Sequence, residues 1–431
     1  MKHFIHPKKE SWNELTTRPT ATYDNLEPLV SEVFSAVKEK GDQAVYHYTK
    51  TFDKLDLSTL SVSANEIEAA KARIPNALKE AIALAKNNIE KFHRAQQTQK
   101  VAVETQKGVN CWQEKRPIQK VGLYIPGGTA PLFSTILMLA IPATIAGCNE
   151  IVLCSPPNTK GTLPDEVLYT AELCGITKIV KVGGIQAIAA LAIGTESIPN
   201  VYKIFGPGNQ YVTTAKQWAT RYNLAIDMPA GPSELLVAAD TSANPSYVAA
   251  DLLSQAEHGV DSQVILVTTQ KEFLAKVQRE IDRQLPALPR KTIAKKAIDN
   301  SKMIAFLTDQ EAIDFINQYG PEHYILCMQN NAPYLKNLIN AGSVFIGNYT
   351  PESAGDYASG TNHTLPTNGY AKQYSGVNLD SFLKSITFQE ISKEGIQTIG
   401  PAIEQMAAAE GLYAHKNAVT LRLKDLQNEP Q

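Results

Sequence analysis

The stretch SQAEHG, Ser254 to Gly259, places an amide, a carboxylic acid and an imidazole within four consecutive residues. If SYVAADLLSQAEH is a helix with Val248, Leu252, Leu253 and Ala256 inward and Gly259 as its stop, Gln255 and His258 share a face and Glu257 points elsewhere. Two ligands at that spacing suit part of a metal site, but glutamine is a rare zinc ligand and the same pattern describes a solvated helix end. Three later stretches concentrate polar groups in the same way. GPEHY carries Glu322 and His323 at a strand start, SAGDYASGTNHTLPT carries Asp356 and His363, and EGLYAHKN carries Glu410 and His415. Any one of these reads first as structure. Together the four clusters hold four of the eight histidines of the chain, which argues for chemistry.

A second group of signals is glycine loops at strand ends: YIPGG (Tyr124 to Gly128), VGGIQ (Val182 to Gln186) and GPGN (Gly206 to Asn209). Such loops at the carboxyl ends of parallel strands let a phosphate approach the backbone. None is a GxGxxG fingerprint, because Tyr211 stands where a third glycine would follow Gly206 and Gly208, and no acid is well placed for a ribose. Each is equally a tight turn. Three on one sheet favour a phosphate-bearing ligand without identifying a dinucleotide.

The elements that must position these groups alternate. From Asn25 to about Lys100 the pattern is helical, with a closing Gly41 and a capping box at Ser63 and Glu66. Then come β-branched runs, KVGLYIP, EIVLCSP, KIVKVGG and VYKIFGPG, separated by helical segments, and later SQVILVTT, HYILCMQ and SVFIGNY. This is the signature of βαβ units and parallel sheets. The expected fold class is α/β, with two Rossmann-like parallel-sheet domains plus small helical N- and C-terminal segments. The expected division is a discontinuous first domain of residues 20–120 with 235–378, a second of 121–234 carrying the glycine loops, and a helical tail of 379–431, in which strands stop.

Composition narrows the partners. The 431 residues are 43% hydrophobic and 19% charged, with a net charge of -2 and no long basic block, which leaves no electrostatic footprint for nucleic acid or anionic membrane. Ala130 to Gly147 is uncharged and just reaches spanning length, but Pro142 and its hydroxyls make it a buried helix. Five cysteines with no CxxC pair argue against a disulfide framework, and the polar opening MKHFIHPKKESWNELTTRP lacks the apolar core of a signal peptide, so a cytoplasmic location is expected.

The ordered set YIPGG, VGGIQA, GPGN, DMPAGPSE, SQAEHG, GPEH, GDYASGTNHTLPT and EGLYAHKNAV closely resembles the histidinol dehydrogenase family, from about residue 20 to about residue 425. The isoleucine of YIPGG stands where valine is common, a packing change. The resemblance implies one zinc ion per chain held by Gln255, His258, Asp356 and His415, and an acid/base pair in Glu322 and His323. It further implies substrate contacts from Ser233 and Glu410 beside Gln255, His258, His323, Asp356 and His415, and NAD contacts from Tyr124, Gln186 and Asn209. Glu257 is then the solvated residue of the opening stretch. The implied reaction takes L-histidinol through L-histidinal to L-histidine with two NAD as cosubstrate, in a homodimer whose tails cross to complete the partner's site.

In that chemistry zinc does no redox and serves to align the substrate. An imidazole with an ordinary pKa near ~6.5 suits removal of the alcohol proton, and Glu322 suits activation of the water that hydrates the aldehyde. Neighbours on an extended segment point apart, so a bend at Pro321 is needed to aim both at one substrate. Two alternatives stand beside this: a cysteine-dependent aldehyde or alcohol dehydrogenase using Cys148 or Cys154, whose competing role is buried packing, and a non-catalytic zinc-binding α/β protein.

Overall fold

Runs such as LLVA and VILV are apolar on both alternating faces, so strands made of them need cover on each side. The computed structural model describes residues 1–19, 26–127, 131–229 and 231–428; Asn25 and Gly128, which belonged to the expected helical start and the first glycine loop, lie outside them. Among the described residues the chain divides into two units, Met1–Gln96 with Ile118–Phe382, and Gln97–Pro117 with Leu383–Gln431.

The first unit contains two parallel sheets. The larger has the spatial order Lys2–Ile5, Lys302–Ala305, Gln263–Thr268, Glu234–Ala239, His323–Cys327, Ser343–Ile346. Its central strand sends Leu235, Val237 and Ala239 to the face covered by Pro245–Ala256, Lys271–Gln284 and Lys291–Asp299, and Leu236 and Ala238 to the face covered by Trp12 and Asp309–Tyr319. Truncating one such leucine to alanine costs ~2–5 kcal/mol, which is why the interior tolerates little change.

The smaller sheet has the order Lys178–Val180, Glu150–Cys154, Lys120–Tyr124, Lys203–Phe205, Ala225–Ile226. Val121, Leu123 and Ile125 pack with the helices Asn76–Arg94, Ser134–Ala146 and Asp165–Leu173. Tyr124, Val152 and Cys154 pack with Glu27–Lys40, Asp42–Tyr48 and Gly184–Ile193. The N-terminal helices therefore cover this sheet, not the larger one with which residues 20–120 were expected to group. Ser134–Ala146 is a buried helix containing Pro142 and closed by Gly147 at φ +86°. No helix among the described residues is long and apolar enough to cross a membrane.

The second unit corrects the expectation that strands stop after residue 379. Leu383–Ile391 pairs antiparallel with Val109–Pro117, which pairs with Val101–Gln106. Most residues of Leu383–Ile391 and all of Val101–Gln106 are exposed, so no buried face imprints an alternation on the sequence. Backbone pairing and the stack of Trp112 on Phe388, with centroids 5.3 Å apart, hold the ribbon instead. The helices Lys393–Ala409 and Tyr413–Asn428 follow as the expected helical part.

Candidate functional site

Ser63 and Glu66 form the anticipated capping box, and Gly41 closes its helix, but the helix bearing SQAEHG ends at Ala256. Gln255 is therefore its buried last turn, whereas His258 stands beyond it, exposed, with its N–H on the Gln255 carbonyl at 3.3 Å. Glu257 is half-buried. The four inward residues Val248, Leu252, Leu253 and Ala256 are all buried.

His323 opens a strand of the larger sheet, and Glu322 immediately precedes it. Because Glu322 lies outside the regular strand, it is free of the alternation that would have sent it away, and its Oε2 lies 3.6 Å from His323 Nδ1. Both side chains are buried. The short helix Glu352–Tyr357 supplies two more carboxylates on one face, four residues apart: Glu352 Oε1 lies 3.7 Å from His323 Nδ1 and Asp356 Oδ1 lies 3.8 Å from His323 Nε2. Glu352 was missed in the sequence, although the E-x-x-x-D spacing of ESAGD carried the signal. The Gln255 amide is oriented with its nitrogen on Glu352 and its oxygen accepting from the Glu234 N–H at 3.0 Å.

The proton on His323 is placed by its neighbours. Nδ1 lies 3.3 Å from the Glu234 carbonyl, which can only accept, so Nδ1 carries the hydrogen. Nε2 is buried with no hydrogen-bond partner. Burial pulls this imidazole down, but Glu352, Glu322 and Asp356 together outweigh it and hold it up at about 10. Burial, with Asp356 and Glu322 adding to it, drives Glu352 well above the usual carboxylate range against the pull of His323. His363 adjoins this group through Asp356, whose Oδ1 lies 4.0 Å from His363 Nδ1. Its Nδ1 donates to the Asp356 carbonyl at 2.8 Å, its Nε2 accepts from Thr135 at 3.1 Å, and burial lowers it.

His258, Glu352 and Asp356 each offer one ligand atom, and these atoms lie within 4.8 Å of one another. An imidazole and two carboxylates so arranged suit a divalent cation that takes nitrogen and oxygen donors, zinc among them. His415 and Glu410 belong to the second unit, where both are exposed.

The glycine loops meet at the carboxyl end of the smaller sheet. The buried Tyr124 hydroxyl accepts from the Gly184 N–H at 3.1 Å, and burial pushes it up to about 12. Asn209 caps the helix Gln210–Ala219. Gln186 donates to Asp53 at 3.3 Å, while its Oε1 is buried without a partner. Tyr124, Asn209, Asp53, Pro126 and Pro156 line a cavity of about 450 Å³, and Asn209 and Pro126 also line a neighbouring one of about 560 Å³ with Ser233 and His258. The two cavities share Asn209 and Pro126, so the space beside the glycine loops adjoins Ser233 and His258. Cys148 and Cys154 are pushed up to about 12 by burial, which keeps both thiols protonated and unreactive.

A sequence-family model described as histidinol dehydrogenase matches residues 16–423. The chain is 58% identical over 427 residues to a histidinol dehydrogenase of Bacteroides thetaiotaomicron, covering 99% of this chain and 100% of that protein. It is 51% identical over 423 residues to one of Escherichia coli strain K12, covering 97% and 96%. The crystal structure of histidinol dehydrogenase from Elizabethkingia anophelis superposes with a TM-score of 0.97 at 55% identity, over 99% of each chain.

Proposed function

The chain belongs to the histidinol dehydrogenase family, and from that premise we propose that it oxidises L-histidinol through L-histidinal to L-histidine, in histidine biosynthesis, passing one hydride to each of two NAD. The observation that carries the reading is His323 Nε2: a buried nitrogen with no hydrogen-bond partner, on an imidazole ringed by the carboxyl groups of Glu322, Glu352 and Asp356.

His323 Nε2 takes the proton of the alcohol as hydride leaves the carbinol carbon. The imidazolium so formed lies 3.6–3.8 Å from the carboxylates of Glu322, Glu352 and Asp356, which stabilise it. Glu322 removes a proton from the water that hydrates the aldehyde, and His323 serves again in the second oxidation. Zinc, one per chain, held by Gln255, His258, Asp356 and His415, would grip the amine and imidazole of the substrate and, as a cation among carboxylates, bring His323 back toward the range of a base. Ser233 and Glu410 contact the substrate, and Tyr124, Gln186 and Asn209 contact NAD. The protein works as a cytoplasmic homodimer whose tails are exchanged. Burial of Cys148 and Cys154 as protonated thiols counts against the cysteine-dependent alternative.

The test is to incubate the purified protein with histidinol and NAD. Two NADH per histidine are expected, with loss of turnover on chelation and recovery with zinc. One NADH per histidinol, with the aldehyde accumulating, overturns the four-electron reaction; no NADH at all leaves the non-catalytic zinc-binding alternative.

A further inference from the structure

Behind the histidine cluster, Glu234 is a buried carboxylate matched by a cation from the N-terminal arm. Arg18 Nε donates to Glu234 Oε2 at 2.5 Å and Nη2 to Oε1 at 3.1 Å. The same guanidinium lies 3.9 Å from the centre of the Tyr319 ring and donates to the Tyr319 carbonyl at 2.8 Å. The Tyr319 hydroxyl donates to Glu234 Oε2 at 3.0 Å, and the Gly369 N–H reaches Oε1 at 3.3 Å. The main chain of Glu234 serves the opposite side. Its N–H, from which the Gln255 oxygen also accepts, donates to Glu322 Oε2 at 2.9 Å, and its carbonyl accepts from His323 Nδ1 at 3.3 Å. One residue thus has its side chain locked from behind and its peptide groups on both members of the acid/base pair.

We infer that Arg18 and Glu234 are positioning residues: the arm, through this ion pair, fixes the hydrogen of His323 on Nδ1 and aims Glu322. The inference rests on the reading of Glu322 and His323 given above. Glu234 is the first residue of its strand, so the sheet anchors it from one side only, and the side chain must anchor the other. Without Arg18 the buried Glu234 loses its bidentate cation beside Glu322, another carboxyl group. It relaxes by moving, and the N–H and carbonyl move with it. Lysine cannot replace arginine here, since a point charge does not span two carboxylate oxygens, a carbonyl and a ring face.

The test uses the full zinc-loaded protein. Wild type must first turn over histidinol with NAD; failure there overturns the functional reading and the clamp with it. In Arg18→Ala, kcat on histidinol should fall ~100-fold while KM for NAD stays within about twofold, because the peptide bonds of Glu234 run to the acid/base pair, and misplacing that pair by ~1 Å affects chemistry. Ethylguanidinium should restore at least ~10-fold of the lost turnover, leaving wild type unaffected. Arg18→Lys, which keeps charge and bulk, should fold and still lose ~10-fold in kcat. A wild-type kcat in Arg18→Lys overturns the inference, as does a natively folded Arg18→Ala, zinc retained, that ethylguanidinium does not rescue. Should Arg18→Ala fail to fold, Arg18→Lys decides alone.

Discussion

Adjacent residues on a strand normally face opposite ways, yet Glu322 and His323 converge because the strand begins only at His323. The two then have distinct tasks to perform from one place. Glu322→Gln keeps a group of the same shape but not a base, so it should slow oxidation of histidinal by ~100-fold and that of histidinol much less, while His323→Ala slows both. Steady-state rates on the two substrates measure this; equal losses on both in Glu322→Gln remove the division of labour. The sequence made this pair visible as chemistry but not as geometry. It likewise exposed Gln255, His258 and Asp356 by type and spacing, but hid Glu352, whose carboxylate reads as an ordinary acid in the first turn of a helix until burial is known.

At the scale of elements, legibility follows burial. The strands Gln263–Thr268 and His323–Cys327 are buried at every residue and stand out as apolar runs. Leu383–Ile391 is mostly exposed and left no such mark. The glycine loops were legible as loops, but the need for glycine is set by neighbours distant in sequence. Gly206 has φ +131°, and a Cβ there would collide with the Tyr124 carbonyl. Its backbone is also held from behind: Lys216 donates to its carbonyl at 2.8 Å, and Asp227 accepts from its N–H at 2.8 Å. Lys216 and Asp227 are themselves a buried ion pair at 2.5 Å, so the loop cannot yield toward them cheaply. Gly206→Ala should therefore push the loop into the cavity proposed for NAD and raise KM for NAD ~10-fold, the equivalent of about 1.4 kcal/mol, with kcat at saturating NAD less affected. An unchanged KM would show that the loop does not touch the cosubstrate.

At the scale of the whole molecule, the helix Tyr413–Asn428 buries no residue, and His415 on it is exposed. Its apolar Tyr413 and Leu421 are exposed, in keeping with the proposed exchange of tails between two chains. Mixing tests this directly. Inactive His258→Asn and inactive His415→Asn chains, unfolded and refolded together, should recover about a quarter of wild-type activity, because about half the dimers are mixed and each carries one intact site of two. No recovery despite demonstrated heterodimers would place His415 in the site of its own chain. The larger sheet has a different consequence, in the order of synthesis. Its edge strand Lys2–Ile5 pairs with Lys302–Ala305, 300 residues later, and the whole of the smaller sheet lies between. On the ribosome the smaller sheet can be complete while the first strand made still waits for its neighbour to emerge. A strand kept waiting is a template for the wrong chain, and its four-residue length, with Lys2 and His3 in it, makes it a poor one.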